Sequence, residues 1–459
     1  MKNIVLLSRN IHGFKEEWRK SLIERLISDD DKQIVLLMIN PYDDKRNYNS
    51  KKILRVITSM EIEYSESMNG LDYETVSKLK ESQLHVENYM YRFWEDYQLG
   101  KYYYYTALSY WTSFFDNNKI DIVINTQTYH GFVWDVACDI AESRGIPCVF
   151  LDSIGYNNTF TIMSRHSLYP VEYGKIPNVY YVLDCCYKKG LLDYETVPKN
   201  IFRQLLYKVG GNILEDFGRR LVKWDWRPRS LARQRAEGTW EGKLVGYVKL
   251  QSIKRYVNKI TQNPDYGEKY VFYALHFEPE AIIQSRLIFE NQLAVIKMLS
   301  DTLPKGWKLY VKEHPAQFDV NNDLGYAFLY STPNFKKKTF YKKIVEMKNV
   351  KLIKTECLSA DLIRHCQAVT SIVGTVLFEG VLQKKPIIVF SDLQPMAYLR
   401  EAFSIHSYDE CVEAMRKIAV GVKPDYADAD DTAGRYIFKG DYITDNIMSL
   451  LYKLCISGE

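Results

Sequence analysis

Short, near-continuous apolar runs alternate with stretches of helical periodicity along much of this chain. Asn3-Ile4-Val5-Leu6-Leu7-Ser8 is the first such run, Phe14 to Ile27 repeats its apolar residues at helical spacing, and Gln33 to Asn40 is a second run. Val/Ile/Leu runs without polar alternation predict strands covered on both faces, and their spacing by helices predicts a parallel sheet. A long polar helical stretch follows, from about Tyr73 to Phe115. The alternation resumes with strands at Ile120–Asn125 and Pro147–Asp152 on either side of a helix at Gly131–Arg144.

The rhythm fails from about residue 155 to 265 and returns at Tyr270. Strands are predicted at 270–275, 307–312, 350–353, 368–373 and 386–390, with helices beginning near Glu280, Asn334, Ser359 and Thr375. A last helix, Thr444 to Leu454, suits packing back on the first half. The pattern therefore predicts an α/β protein of GT-B architecture, with two Rossmann-like, doubly wound domains facing across a cleft. The expected divisions are 1–218, a basic helical connector at 219–267, 268–440, and a returning helix at 441–459. In open α/β sheets ligands bind outside the carboxyl ends of the strands, so the strand ends are where chemistry is expected.

Composition narrows the class. The chain has 459 residues, 46% hydrophobic and 26% charged, which fits a globular protein of two or three domains. Its net charge is +4, too balanced to wrap nucleic acid over the whole surface. No stretch approaches the roughly 18 uninterrupted apolar residues that a membrane span needs. The opening apolar run, Ile4 to Leu7, is too short for a secretory signal, so a cytoplasmic location is expected. The eight cysteines have no metal-site spacing and read as reduced thiols. Tyr is abundant, with 36 residues and a cluster at Tyr102–Tyr105, a weak pointer to sugar stacking.

Charge is unevenly distributed. Between Arg219 and Ile260 twelve Lys/Arg face three Asp/Glu, a local +9, so the remainder carries −5. Trp224, Trp226, Trp240 and Tyr247 are interleaved with that charge. The segment reads either as a solvated connector or as a peripheral contact with an anionic membrane surface, placing the protein at the inner face of the cell membrane. The acidic stretch Asp425–Asp431 lacks strand context and reads as a solvated turn rather than a metal site.

Candidate chemistry gathers in the second half. Lys312-Glu313-His314-Pro315 closes a strand, placing His314 at a carboxyl edge, with Pro315 stopping the strand. Ser371-Ile372-Val373-Gly374-Thr375 runs from a strand through a tight turn into a helix, a ready anion site. An imidazole beside a helix start can hold and neutralise a leaving phosphate without a metal. Glu379, one turn past Thr375, is placed to reach a ribose hydroxyl. For each residue the competing reading is structural: a strand-end histidine, an N-cap turn, a solvated carboxylate. The sequence has no GxxxxGK[ST] loop and no GxGxxG after its first strand, which disfavours P-loop kinase and NAD chemistry.

Four segments together carry a resemblance: Leu275-His276-Phe277-Glu278-Pro279-Glu280, Leu309 to Pro315, Gly374 to Glu379, and Lys385 to Phe390. They resemble the bacterial capsule polysaccharide synthesis family, which includes Kdo transferases and is related in layout to bacterial sialyltransferases with a His-Pro motif. The likeness covers about 268–405 and extends more loosely into 120–157. It implies a metal-independent GT-B glycosyltransferase needing no cofactor. Its co-substrate would be a CMP-activated 2-keto-3-deoxy sugar acid, either Kdo or a nonulosonic acid of sialic, legionaminic or pseudaminic type. The acceptor would be a surface glycan or its lipid-linked precursor, with no role for nucleic acid.

By the same resemblance 268–440 binds the nucleotide sugar, with His314 and Thr375 on the CMP phosphate and Lys312, Pro315, Ser371, Gly374 and Glu379 around it. The first domain is then the acceptor side. Transfer also requires a carboxylate, as base or nucleophile. Asp152, at the end of its strand, is the leading candidate, with Asp135 and Glu278 in reserve. Alternatives are a UDP-sugar or CDP-polyol donor, or a non-catalytic capsule-assembly subunit.

Overall fold

The computed structural model describes residues 1–8, 16–40, 43–65, 67–91, 97–126, 132–153, 159–164, 240–280, 282–283, 287, 289–318, 335–393, 395–429, 438–439 and 443–456. The expected boundary at 218/219, and the basic residues 219–239, lie outside these.

The first sheet is built from β1 (Lys2–Leu7), β2 (Lys32–Ile39), β3 (Val56–Thr58), β4 (Ile122–Asn125), β5 (Cys148–Ser153), β6 (Thr159–Ser164) and β13 (Phe438–Lys439). Its order is β13-β6-β5-β4-β1-β2-β3. The pairs among β1 to β5 are parallel, while β6 runs antiparallel to both β5 and β13. The apolar runs are buried as their composition requires: Ile4 to Leu7 and Ile34 to Ile39 are almost wholly shielded. The antiparallel edge was not anticipated, because Thr159–Ser164 is short and half polar.

Helices cover this sheet. α1 (Glu16–Ser28) buries Trp18, Leu22 and Leu26. The long helical stretch expected at 73–115 is divided into α3 (Tyr73–Lys78), α4 (Lys80–Met90) and α5 (Tyr97–Asn117), after a short α2 (Ser59–Glu63). Asp72 starts α3 by accepting the Thr75 N–H at 2.8 Å, which satisfies a donor that the first helical turn leaves open. In α5 the stripe Tyr104, Leu108, Trp111 and Phe115 is buried, so part of the tyrosine cluster is core rather than a sugar platform. α6 (Phe132–Ser143) joins β4 to β5.

The second sheet contains β7 (Tyr270–Ala274), β8 (Lys308–Lys312), β9 (Val350–Ile353), β10 (Ala368–Ser371), β11 (Ile387–Val389) and β12 (Phe403–Ser404). All its pairs are parallel, in the order β12-β11-β10-β7-β8-β9. Counted within the unit this is 6-5-4-1-2-3, the doubly wound order. Two such sheets in one chain form the two-domain Rossmann-like α/β fold that the pattern predicts, in the GT-B layout.

Around this sheet lie α7 (Trp240–Ile260), α8 (Gln292–Thr302), α9 (Lys338–Val345), α10 (Ser359–His365), α11 (Val376–Leu382) and α12 (Tyr408–Ala419). Ile282 and Ile283 are helical, where a helix is expected near Glu280, and α8 follows at Gln292, while the helix expected near Asn334 begins later, at Lys338. Asn291 starts α8 by accepting the Ala294 N–H at 3.0 Å. α13 (Ile443–Ile456) places Ile447, Leu450 and Leu451 in one apolar cluster with Trp18, Leu22 and Leu26 of α1. No helix among the described residues is long and apolar enough to cross a membrane.

The acidic stretch has a structural function. Tyr426, in a left-handed turn (φ 52°), is buried and donates its hydroxyl to the Lys385 carbonyl at 2.7 Å, while Asp428 accepts the Arg400 N–H at 3.0 Å.

Candidate functional site

In the second sheet β7 has β8 on one side and β10 on the other, so successive connections leave in opposite directions and open a crevice at the carboxyl ends. The residues leaving those strands are His276 to Glu278, Glu313 to Pro315, and Ile372 to Thr375.

His276 fastens two of the three exits. Its Nε2 accepts the Val373 N–H at 3.2 Å and lies 3.0 Å from the Ser371 hydroxyl. With Nε2 accepting, the ring proton belongs on Nδ1, which is 3.5 Å from a Glu280 carboxylate oxygen. Ser371 in turn accepts the Gly374 N–H at 3.2 Å. A Cβ on Gly374 would fall 2.5 Å from that same hydroxyl, so only glycine lets the turn close so tightly. Thr375 follows with an exposed side chain that makes no capping bond to α11.

Below the second exit is a buried ionic cluster. Glu313, 1% exposed, accepts the Lys336 ammonium at 2.8 Å, the Tyr341 hydroxyl at 2.7 Å and the His314 N–H at 2.7 Å. The Lys336 ammonium also donates to the His276 carbonyl. One fully buried lysine side chain thus ties the β7 exit to the β8 exit.

His314 itself is solvent-accessible, yet the protein packed around it drives its imidazole down to about 4, against the Glu280 and Glu313 carboxylates. The ring is neutral near pH 7. Nδ1 accepts the Ala316 N–H at 3.2 Å, leaving Nε2–H as a donor. With that imidazole His314 offers a hydrogen bond from the strand exit.

Glu278 extends the cluster. Gln317 brackets its backbone, accepting its N–H at 2.9 Å and donating to its carbonyl at 2.8 Å, while the Gln292 amide donates to its carboxylate. The Gln317 N–H bonds the His314 carbonyl at 2.9 Å, linking Glu278 to the His-Pro turn. Burial raises the Glu278 carboxyl above its ordinary value, against the Lys336 ammonium. On the opposite face of the sheet Lys312 is buried, with its ammonium 3.3 Å from the Ser359 hydroxyl. Burial lowers that ammonium and pushes the neighbouring Glu379 carboxyl up to about 7, with each charge opposing the other's shift. Perturbed groups gathered at one sheet edge make this edge the candidate site. Among the described residues no group of three His, Cys, Asp or Glu is placed to hold a metal.

No protein-family model matches the chain, and no curated protein matches it in sequence. Similar solved structures include the Thermosulfurimonas dismutans KpsC β-Kdo 2,4-transferase, 14% identical over 64% of this chain and 79% of that one, TM-score 0.27. A UDP-GlcNAc 2-epimerase from Methanocaldococcus jannaschii is 11% identical over 98% and 100%, TM-score 0.29. Another, from Neisseria meningitidis, is 12% identical over 99% and 100%, TM-score 0.27. The fold assignment rests on the strand orders given above.

His314, Pro315, Ser371, Gly374, Thr375 and Glu278 therefore meet at the switch point, with Lys312 and Glu379 on the other face of the same edge. Asp152 lies in the first unit. β5 continues through Ser153, so Asp152 sits within the antiparallel ladder opposite Thr161; its side chain is outside the described residues. Asp135 is buried on α6, also in the first unit. Arg165 and His166, whose sequence position would let them pair with a donor carboxylate, lie outside the described residues, as does the loop 154–157 after Asp152. Sequence reasoning missed His276 as a latch, and Gln292, Gln317, Lys336 and Tyr341. Lys336 opens the run Lys336-Lys337-Lys338, which reads as a solvated charge patch, and nothing local distinguishes its buried member.

Proposed function

We propose that this chain is a GT-B glycosyltransferase that moves a 2-keto-3-deoxy sugar acid from its CMP-activated form onto a surface-glycan acceptor. The observation that carries the reading is the pair of histidine-bearing strand exits at the switch point, joined by Lys336 and facing the Ser371–Thr375 turn. Such an edge offers an anion several neutral donors held in place before binding, the arrangement that stabilises charge developing on a leaving group. The choice of CMP and of a sugar acid draws its support from the motif resemblance.

In this reading the bond from the anomeric carbon to the phosphate oxygen breaks, and the electron pair leaves with CMP. The His314 Nε2–H and the Thr375 hydroxyl receive the phosphate. Ser371, Gly374 and Pro315 hold the two turns in shape, and Glu379 with Lys312 faces the ribose. An acceptor hydroxyl closes the new bond and its proton passes to a carboxylate. Glu278 belongs to the His314 network, and burial raises its affinity for protons, which makes it the candidate base from this unit. Asp152 and Asp135 are the candidates from the facing unit. The reaction so written needs no metal, and 219–260 is the proposed contact with the inner face of the membrane.

Thermal-shift titration with CMP, CDP, UMP and UDP, on the parent protein and His314→Ala, tests this. A ligand that binds only the folded state raises the melting temperature with the logarithm of its concentration. Stabilisation by CMP that His314→Ala abolishes is expected. Stabilisation by UDP alone would replace the donor class, and no response to any nucleotide would overturn the enzyme reading.

A further inference from the structure

Beside Glu278 lies a cavity of about 440 Å³, whose walls do not include His314 or the Ser371–Thr375 turn. It is lined by Glu278, Glu290, Lys337, Lys343 and Phe340 of the second unit and by Asn88, on α4 of the first. Its size suits a small ligand.

The lining selects a chemistry. Lys336 also lines the cavity, so three lysines and two carboxylates share its wall, and the selection lies in the mixture of donors and acceptors rather than in net charge. Of the three lysines, Lys336 is held by Glu313 and Lys343 by Glu346, so Lys337 and the Asn88 amide supply the donors that stand with the two carboxylates around one space. Phe340, half-buried, adds an aromatic wall. A ligand using all of these has hydroxyls that both give and accept hydrogen bonds, together with an apolar face of C–H groups. That is a saccharide ring.

We propose that this cavity is the saccharide-acceptor subsite, with the sugar's apolar face on Phe340 and its hydroxyls between Glu278, Glu290 and Asn88. The inference rests on the glycosyltransferase reading for the word acceptor, but saccharide binding itself does not depend on the donor. Because Asn88 belongs to the first unit, a bound sugar touches both halves of the molecule. Glu278 places one of those hydroxyls next to the Gln317–His314 link, and hence beside the proposed phosphate position.

The test is saturation-transfer NMR on the full chain with methyl hexopyranosides and a methyl hexuronide as probes. Transfer to the ring C–H protons is expected, reduced at least fivefold in Phe340→Leu, which keeps an apolar side chain but removes the aromatic face. Glu290→Gln, at an exposed position, should weaken binding without lowering the melting temperature. No transfer from the parent protein, or transfer that both variants leave unchanged, would overturn the subsite. CMP stabilisation measured on the same samples separates the cases: a lost sugar signal with CMP binding intact sinks only this inference, whereas sugar binding without any nucleotide response sinks the transferase reading.

Discussion

Glu379 shows how one side chain's surroundings set its chemistry. In sequence it is a helix carboxylate one turn past Thr375, and a solvated role fits equally well. Burial beside Lys312 pushes its carboxyl up to about 7 from an ordinary 4.5. Between those values the folded chain holds a proton that the unfolded chain releases, so this contribution is full below about 4.5 and is lost as pH rises through about 7. Glu379→Gln, which mimics the protonated carboxyl, should flatten that part of the profile. Melting temperatures of parent and variant are expected to converge at pH 5 and to separate at pH 8, with the variant higher; parallel profiles would count against the shift. Gly374 was legible in the sequence as a turn glycine, but the reason no other residue fits is the Ser371 hydroxyl in the way of a Cβ, a tertiary fact.

At the scale of elements, the strand exits matter more than the strands. β7 and β8 were readable from their apolar runs, since burial on both faces leaves little room for polar residues. What holds their exits together was not readable, because Lys336 lies more than twenty residues from its partner Glu313. Lys336→Met should leave a buried carboxylate without its cation and destabilise the protein by about 3–5 kcal/mol. Denaturant unfolding of Lys336→Met, Glu313→Gln and the double variant measures this. Recovery of at least half the loss in the double variant is expected, since the stranded charge is then removed; additive losses would show the two groups to be independent. The helix beginning at Lys338, later than periodicity suggested, fits the same view: Lys336 before it ties two strand exits together instead of continuing a helix.

Across the whole molecule, the chain's last described helix completes its first unit. α13 lies against α1, so the first apolar core contains residues more than four hundred positions apart. Ile447→Ala removes a fully buried side chain there and should cost about 2–5 kcal/mol. Because the switch-point cluster belongs to the other sheet, CMP stabilisation of the folded variant should persist with unchanged midpoint. A loss of nucleotide response equal to that of His314→Ala would show the two units to be coupled more tightly than their separate cores suggest.

The sequence by itself determined the two sheets, most of their strands and the strand ends where chemistry belongs, because these follow from local apolar periodicity and from the geometry of parallel sheets. It also marked His314, Ser371, Gly374 and Thr375, which stand at turns with a local signature. Tertiary structure alone decided which lysine of a charged run is buried, that His276 latches the opposite turn, that the surroundings of His314 lower its affinity for protons, and that Asn88 and Glu278 share a cavity. Each of these depends on groups far apart in the chain, where desolvation and hydrogen bonding act through space and leave no periodic trace in the sequence.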